Sequence, residues 1–521
     1  MGFRTRYARF DCEKVGKVVV EPLPINLKSV TVEADRQYID SDKIVFIPSR
    51  REKSAANSGQ SLLMHLALPN ISVDPISGSV STLSGEGVSF FIDFAPASSR
   101  EVSELRPQDV KRVEVYDSPA DPRFEGARHV VNFIMVRYEY GGYTRAQVSQ
   151  DLPVVEGGYG LSSKFSYGRM TYDFSSGYGI LDSDHTGERT ETAFDFDEGT
   201  VVRSRRTDGN HINYQNAYAT FRARYATDNT FISNTAGIQG TWQPHNYSNF
   251  LTSYSPQIYP ADIEKSITDN SSVSPSWEGY FRFILPREWM LIISPKANYA
   301  YNSNRYTYHA DGVAPVVNEA AEKAWNSFVS IGASKRWGRN TLSVWANGEF
   351  KGNHLKYSGS NPATVNVTEQ AAGVRVDAAT AFWKARLNAS AKCYLSHTDF
   401  AGYHYNEWLP SYFISGGITF NPKMSLHVSS ELSNWTNSVS ARSDNIVVRD
   451  RFEAVKGNRK LKTFLFTSAS AYFNYYPTQN LSFSSFFRYQ GFDKPIVASY
   501  SQTEIDGRTI TALSFKLKLK T

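Results

Sequence analysis

The sequence predicts a mainly β protein: a transmembrane antiparallel β-barrel of roughly 14 to 18 strands preceded by a small mixed α/β domain. The first supporting observation is a period of two that recurs along most of the chain. Leu513, Phe515, Leu517 and Leu519 alternate with Ser514, Lys516, Lys518 and Lys520. Leu387, Ala389, Ala391, Cys393 and Leu395 alternate with Arg386, Asn388, Ser390, Lys392 and Tyr394, and Leu342, Val344 and Ala346 with Thr341, Ser343, Trp345 and Asn347. Such alternation is the mark of an extended strand with one apolar and one polar face. Two-faced segments of about 9 to 11 residues are the length a tilted strand needs to cross a bilayer.

The second observation is compositional. The chain has 521 residues, 41% of them hydrophobic and 14% aromatic, with a mean hydropathy of −0.41. No run approaches the roughly 18 uninterrupted apolar residues of a membrane helix. A barrel escapes that requirement, because only alternate side chains meet lipid while every backbone group is paired within the sheet. Aromatic clusters beside turns, such as Tyr472, Phe473, Tyr475 and Tyr476 before Pro477, fit rings gathered at membrane interfaces.

The third is a change of texture near residue 137. Before it the apolar runs are short and Pro is frequent. Ser58 is placed to cap a helix whose apolar face is Leu62, Leu63 and Leu66 and which stops at Pro69. Short strands are expected at Ile71–Asp74, Val80–Leu83 and Val88–Ile92, separated by turns at Ser77-Gly78 and Gly85-Glu86-Gly87. A second short helix is expected around Ser103–Leu105, followed by a strand over Val110–Tyr116. Beyond Tyr143 the two-faced strands take over, separated alternately by short turns and by long polar segments, 182–210, 253–276 and 310–324, that read as loops.

The net charge is +5, from 56 basic and 51 acidic residues. That balance, without a Lys/Arg run, gives no nucleic-acid signature. The two cysteines, Cys12 and Cys393, make neither a disulfide framework nor a metal cluster. There is no nucleophile elbow, zinc-protease helix, phosphate loop or dinucleotide turn, so no enzyme and no cofactor is expected. Histidines at 185, 211, 245, 309, 397 and 404 are scattered and read as solvated rather than metal-binding. The acidic residues between Asp182 and Glu198 read as a solvated loop.

The first domain resembles the plug of TonB-dependent outer-membrane receptors in the form common in the Bacteroidetes. The resemblance is carried by five blocks in the family's order: Leu62–Asp74, Gly87–Asp93, Leu105 with Asp109–Tyr116, Pro119–Gly126, and Val130–Ile134. Phe94 stands where the family usually has Gly, and Asp121-Pro122 interrupts the fourth block. Lys456–Lys462 resembles a turn of the family's barrel, with Arg459 in place of its usual Pro.

The resemblance implies residues 1–26 as a remnant of a carboxypeptidase-regulatory-like β-sandwich, 27–137 as the plug and 138–521 as the barrel. It implies that Ser29, Val30, Thr31, Val32, Glu33 and Ala34 pair with TonB of the inner-membrane energy-transducing complex, an extended segment adding itself to a sheet edge. It implies plug–barrel contacts at Arg112, Glu114, Arg123 and Glu125, and a bacterial outer-membrane location in contact with lipid. The function implied is active uptake of a small ligand of unspecified class, with a surface lipoprotein as a further partner. Receptors of this family close about 22 strands around their plug, and the N-terminus lacks the apolar core of a secretion signal. The chain is therefore expected to be either a fragment, incomplete at both ends, or a reduced barrel. The alternatives are a non-transporting structural or adhesive barrel and a soluble secreted β-sandwich or propeller that binds or cleaves glycans. The second would show turns at about 8 to 12 residue spacing and a carboxylate pair in a cleft.

Overall fold

A computed structural model describes residues 2–3, 22–23 and 36–517, apart from 41–42, 69–70, 76, 83–84, 118, 120, 125–126, 137, 153–154, 185, 197–198, 360–361, 422–423, 479–480, 495 and 506–507. The Ser29–Ala34 segment and Glu125 therefore lie outside the described residues, as does most of the 1–26 remnant. Two short strands, β1 (Gly2–Phe3) and β2 (Pro22–Leu23), pair antiparallel.

The α/β unit contains β3 (Gln37–Asp40), β4 (Lys43–Phe46), α1 (Arg50–Ala55), α2 (Gly59–Leu66), β5 (Ile71–Val73), β6 (Val80–Thr82), β7 (Ser89–Ile92), β8 (Ala95–Ala97), α3 (Ser99–Glu104), β9 (Val110–Asp117) and β10 (His129–Met135). Six of these strands form a sheet ordered β3-β4-β9-β10-β7-β8, antiparallel except where β10 runs parallel to β7. The Ser58 hydroxyl accepts from the Ser61 amide and starts α2, as its sequence predicts. Leu62 and Leu63 of that helix are fully buried with Val102, Val110, Val113, Val131 and Phe133. The second helix begins earlier than expected, at Ser99, because Ser98 and Glu101 form a capping box. Ser49 and Glu52 form another, which starts α1.

The second unit is one large antiparallel sheet of sixteen strands among the described residues. It runs through β11 (Tyr140–Asp151), β12 (Val155–Tyr167), β13 (Met170–Asp184), β15 (Gly199–Ala226), β16 (Thr230–Ser255), β17 (Asp262–Leu285), β18 (Trp289–His309), β19 (Val316–Trp337), β20 (Asn340–Gly359), β21 (Ala363–Phe382), β22 (Ala385–Phe400), β23 (Tyr403–Asn421), β24 (Met424–Trp435), β27 (Phe464–Thr478) and β28 (Leu481–Phe492). A branch, β14 (Arg189–Phe196), pairs with β15. Neighbours in sequence are neighbours in space, and the first and last strands are not paired with each other. No described helix is long and apolar enough to cross a membrane.

Facing follows the alternation. On β20, Leu342 and Val344 are 41% and 47% exposed on the outer surface, whereas Trp345, between Val344 and Ala346, is 1% exposed and faces the plug. Leu161, Phe165, Leu387 and Leu395 are likewise exposed on the outside. The apolar columns thus point outward, as a sheet surrounded by hydrocarbon requires.

The structure corrects two expectations. Much of 182–210, 253–276 and 310–324 is strand rather than loop: β15, β16 and β17 run for 28, 26 and 24 residues. Pairing with neighbouring strands satisfies their backbones whatever their side chains, so these stretches need no apolar face and hydropathy conceals them. The two-faced segment at the chain end does form a strand, β30 (Arg508–Leu517), but it lies outside the large sheet. With β29 (Ile496–Ile505) it joins β25 (Ile446–Val448) and β26 (Glu453–Lys456), which follow the short helix α4 (Val439–Arg442), in a separate four-stranded sheet. Ile510 and Ala512 are buried there beside Tyr308 and Val316.

Candidate functional site: the plug seat and the far mouth of the sheet

The chain enters the large sheet at β11. Turns at 168–169 and 227–229 lie at this near end, and loops 256–261 and 310–315 at the opposite, far end. The α/β unit is seated against the inner face of the near half through three groups of contacts.

On one flank, Glu101 pairs with Arg222 of β15. The Tyr218 hydroxyl donates to Glu104 Oε1 at 2.9 Å, and the Arg100 guanidinium lies 3.7 Å from the Tyr218 ring. In the centre, Ala95 packs into a buried cluster with Phe231, Tyr280, Ile292 and Trp345. The Trp345 ring fits because position 332 is Gly: a Cβ there would sit 2.2 Å from the indole.

The third group is a relay of ionisable side chains. His129, at the start of β10, sits with Nε2 2.7 Å from Glu86 and Nδ1 3.0 Å from Asp117. Glu86 also accepts from Arg488 of β28 at 2.5 Å, and Asp117 lies 3.7 Å from His427 of β24. Beside it, Arg128 pairs with Glu431 of β24 at 2.6 Å and covers the Phe413 ring at 4.4 Å. Burial alone would push the His129 imidazole down, but Asp117 and Glu86 outweigh it and hold the ring at about 9. The His129 hydrogen bond, against burial and with help from Arg488, takes Glu86 down to about 2. Asp117 is also held below the ordinary carboxylate range, because His129 and His427 overcome its burial.

Of the residues expected at this seat, Arg112 and Glu114 find their partners inside the plug. Glu114, fully buried, accepts from Lys43 and Arg112 at 2.9 Å, Tyr116 at 3.0 Å and Asn132 at 3.1 Å. Those bonds keep its carboxyl ionised against the cost of burial. Arg123 is tied to Asp121 and lies 3.5 Å over Phe94, and it meets the barrel through its carbonyl, which accepts from Tyr280 at 3.5 Å. Glu86, Glu101, Glu104, Arg128 and His129 were not anticipated. The one sequence signal was the Ser98/Glu101 capping box, which marks the helix but not its ionic partner.

At the far end the segment 436–463 bridges the mouth. Arg442 reaches Glu369 at 2.5 Å and Tyr405 at 3.0 Å on one side. The β25–β26 tip reaches β15 to β19 on the other, where Arg203 and Arg205 both donate to Asp450 at 3.0 Å and Arg451 donates to Asp262 at 2.8 Å. Burial opposes the Asp450 charge, but the two guanidiniums prevail and hold the carboxyl below its usual range. Arg203 stands more than twenty residues beyond the near turn. At ~3.3 Å of rise and ~45° of tilt that is on the order of 50 Å, well past a hydrocarbon core of about 25–30 Å.

No protein-family profile and no curated protein matches this sequence. Among solved structures, the chain is similar to the copper transporter OprC, at 12% identity and a TM-score of 0.53, over 91% of this chain and 74% of that one. It is also similar to the ferric enterobactin receptor PfeA of Pseudomonas aeruginosa in complex with BCV-L6, at 12% identity and a TM-score of 0.52, over 90% and 76%. The chain has the fold of outer-membrane receptors, a strand-built wall whose interior is occupied by a small α/β plug.

Proposed function

We propose that this chain is a TonB-dependent receptor-like outer-membrane protein that takes up a ligand across the bacterial outer membrane. The observation that carries the proposal is the seat itself. A folded domain is held inside an outwardly apolar sheet by a few ion pairs around one small apolar contact, a join that can be made and broken without unfolding either part. The near end then faces the periplasm, the far end faces outward, and lipid covers the Leu and Phe columns. Residues 27–137 are the plug and 138–521 the wall. Ligand is captured at the far mouth, TonB draws on Ser29–Ala34, and the plug shifts to open the lumen. Glu86, Glu101 and Arg128 resist that pull at the wall, Arg123 and Glu125 are proposed to brace the plug beside them, and Arg112 and Glu114 hold the plug's own sheet together. The five sequence blocks favour a Bacteroidetes-type receptor, for which a surface lipoprotein is a natural partner. No chemistry on substrate is required.

The test deletes residues 29–34 and follows accumulation of labelled peptides, glycans and siderophores by cells, with surface display as control. The expected result is loss of energy-dependent accumulation at unchanged display. Accumulation that survives the deletion overturns the proposal, and a surface role that persists without any accumulation favours the adhesive alternative.

A further inference from the structure

Three consecutive residues at the β25–β26 tip, Asp450, Arg451 and Phe452, enter three differently built pockets of the far mouth. Asp450 Oδ2 accepts 3.0 Å bonds from Arg203 and Arg205. Arg451 donates to Asp262 at 2.8 Å and to the Asp311 carbonyl at 2.9 Å, with its guanidinium 4.3 Å from the Tyr259 ring. The Phe452 ring lies between Phe194 at 5.3 Å, Phe196 at 5.6 Å and Tyr254 at 5.6 Å. All three side chains are withdrawn from solvent.

The wall reads main chain as well as side chains. Tyr306 donates to the Arg449 carbonyl at 2.8 Å, and Asn318 to the Val448 carbonyl at 2.6 Å. Among the described residues, Arg203 Nε, Asp262 Oδ1 and the tip's own Arg451 Nε are buried here without a hydrogen-bond partner. Side-chain pockets of alternating chemistry combined with bonds to backbone carbonyls are how a surface recognises a peptide.

We propose that the far mouth is a peptide-binding site for an acidic–guanidinium–aromatic sequence, and that Asp450–Phe452 fills it as a built-in surrogate. This deepens the uptake reading by naming its substrate class, and the site's existence is tested apart from transport. Because the surrogate is tethered, its effective concentration is in the mM range. An external peptide therefore competes poorly until the surrogate is removed.

The experiment uses the full chain in detergent micelles and fluorescence anisotropy of a labelled acetyl-Asp-Arg-Phe amide. A variant carrying Asp450→Ser, Arg451→Ser and Phe452→Ser is expected to bind this peptide at least tenfold more tightly than the unaltered chain does, and at least tenfold more tightly than it binds the same residues in shuffled order. Adding Asp262→Asn to that variant removes the preference. Equal binding of ordered and shuffled peptides, or no gain over the unaltered chain in a variant that still shows heat-modifiable migration, overturns the proposal. Should the triple variant fail to fold, hydrogen exchange on the unaltered chain decides: millimolar ordered peptide must expose amides 449–453, and unchanged protection there overturns it. Peptide binding that persists without uptake in the 29–34 deletion leaves the site standing, whereas uptake without peptide binding removes the site and spares the transport reading.

Discussion

Replacing His129 by Ala removes the cation that stands between Glu86 and Asp117 inside the plug. In the native protein the imidazole is lifted from 6.5 to about 9 by those two carboxylates, acting against its burial. A rise of that size corresponds to roughly 3 kcal/mol of preference for the charged form in the folded state. Glu86 keeps Arg488 as a cationic partner and Asp117 keeps His427 beside it, so a loss of about 2 kcal/mol of plug stability is expected at pH 6. The pH dependence gives the sharper test. Because the folded value is the raised one, the contribution is complete below the unfolded value near 6.5 and disappears as pH rises through 9. The carboxylates act in the opposite sense. Their folded values are depressed, so their contribution is complete above about pH 4.5 and is lost as pH falls toward 2. Pulse proteolysis of the plug in urea, in micelles, should therefore show native stability highest between about pH 5 and 6.5. The gap between native chain and His129→Ala should close between pH 7 and 10. A gap that is the same at pH 6 and pH 10 would refute the charged-imidazole argument.

Two further perturbations probe other parts of the architecture. Arg222→Ala leaves Glu101 without its barrel partner and should cost the seated plug about 1–3 kcal/mol. That loss should be visible as faster entry of a bulky antibiotic, and a double-mutant cycle with Glu101→Ala should recover a coupling energy. Val344→Arg places a guanidinium on the outward face and should lower folding stability in vesicles by about 2–3 kcal/mol in urea titrations. An unchanged midpoint would argue that this face does not meet hydrocarbon.

Much of the architecture is written locally in the chain. The period-two columns around Leu342 and Leu387 specify which face is outward, because pleat geometry alone assigns alternate side chains to opposite faces. Ser58 with Leu62 and Leu63 specifies α2. Two further helix starts are legible as well: Ser49/Glu52 and Ser98/Glu101 both carry the capping-box spacing. The far ends of β15 to β17 are illegible by hydropathy, since strands held by pairing alone need no apolar face. The seat is illegible for a different reason. Glu86 and Arg488 stand 402 positions apart, and no local pattern reports a pairing that only the completed fold creates. Arg112 and Glu114 are expected at the barrel, but β9 is an inner strand of the plug sheet, where Glu114 is held by Lys43, Arg112, Tyr116 and Asn132.

Glu101 divides its two oxygens between two tasks: Oε2 accepts from the Ser98 amide and hydroxyl at the start of α3, and Oε1 meets Arg222. Detaching the guanidinium leaves the other oxygen where it was, so α3 keeps its first turn during withdrawal. On the uptake reading proposed above, the domain can accordingly leave as an intact body, with force spent on parting surfaces rather than on unravelling a helix.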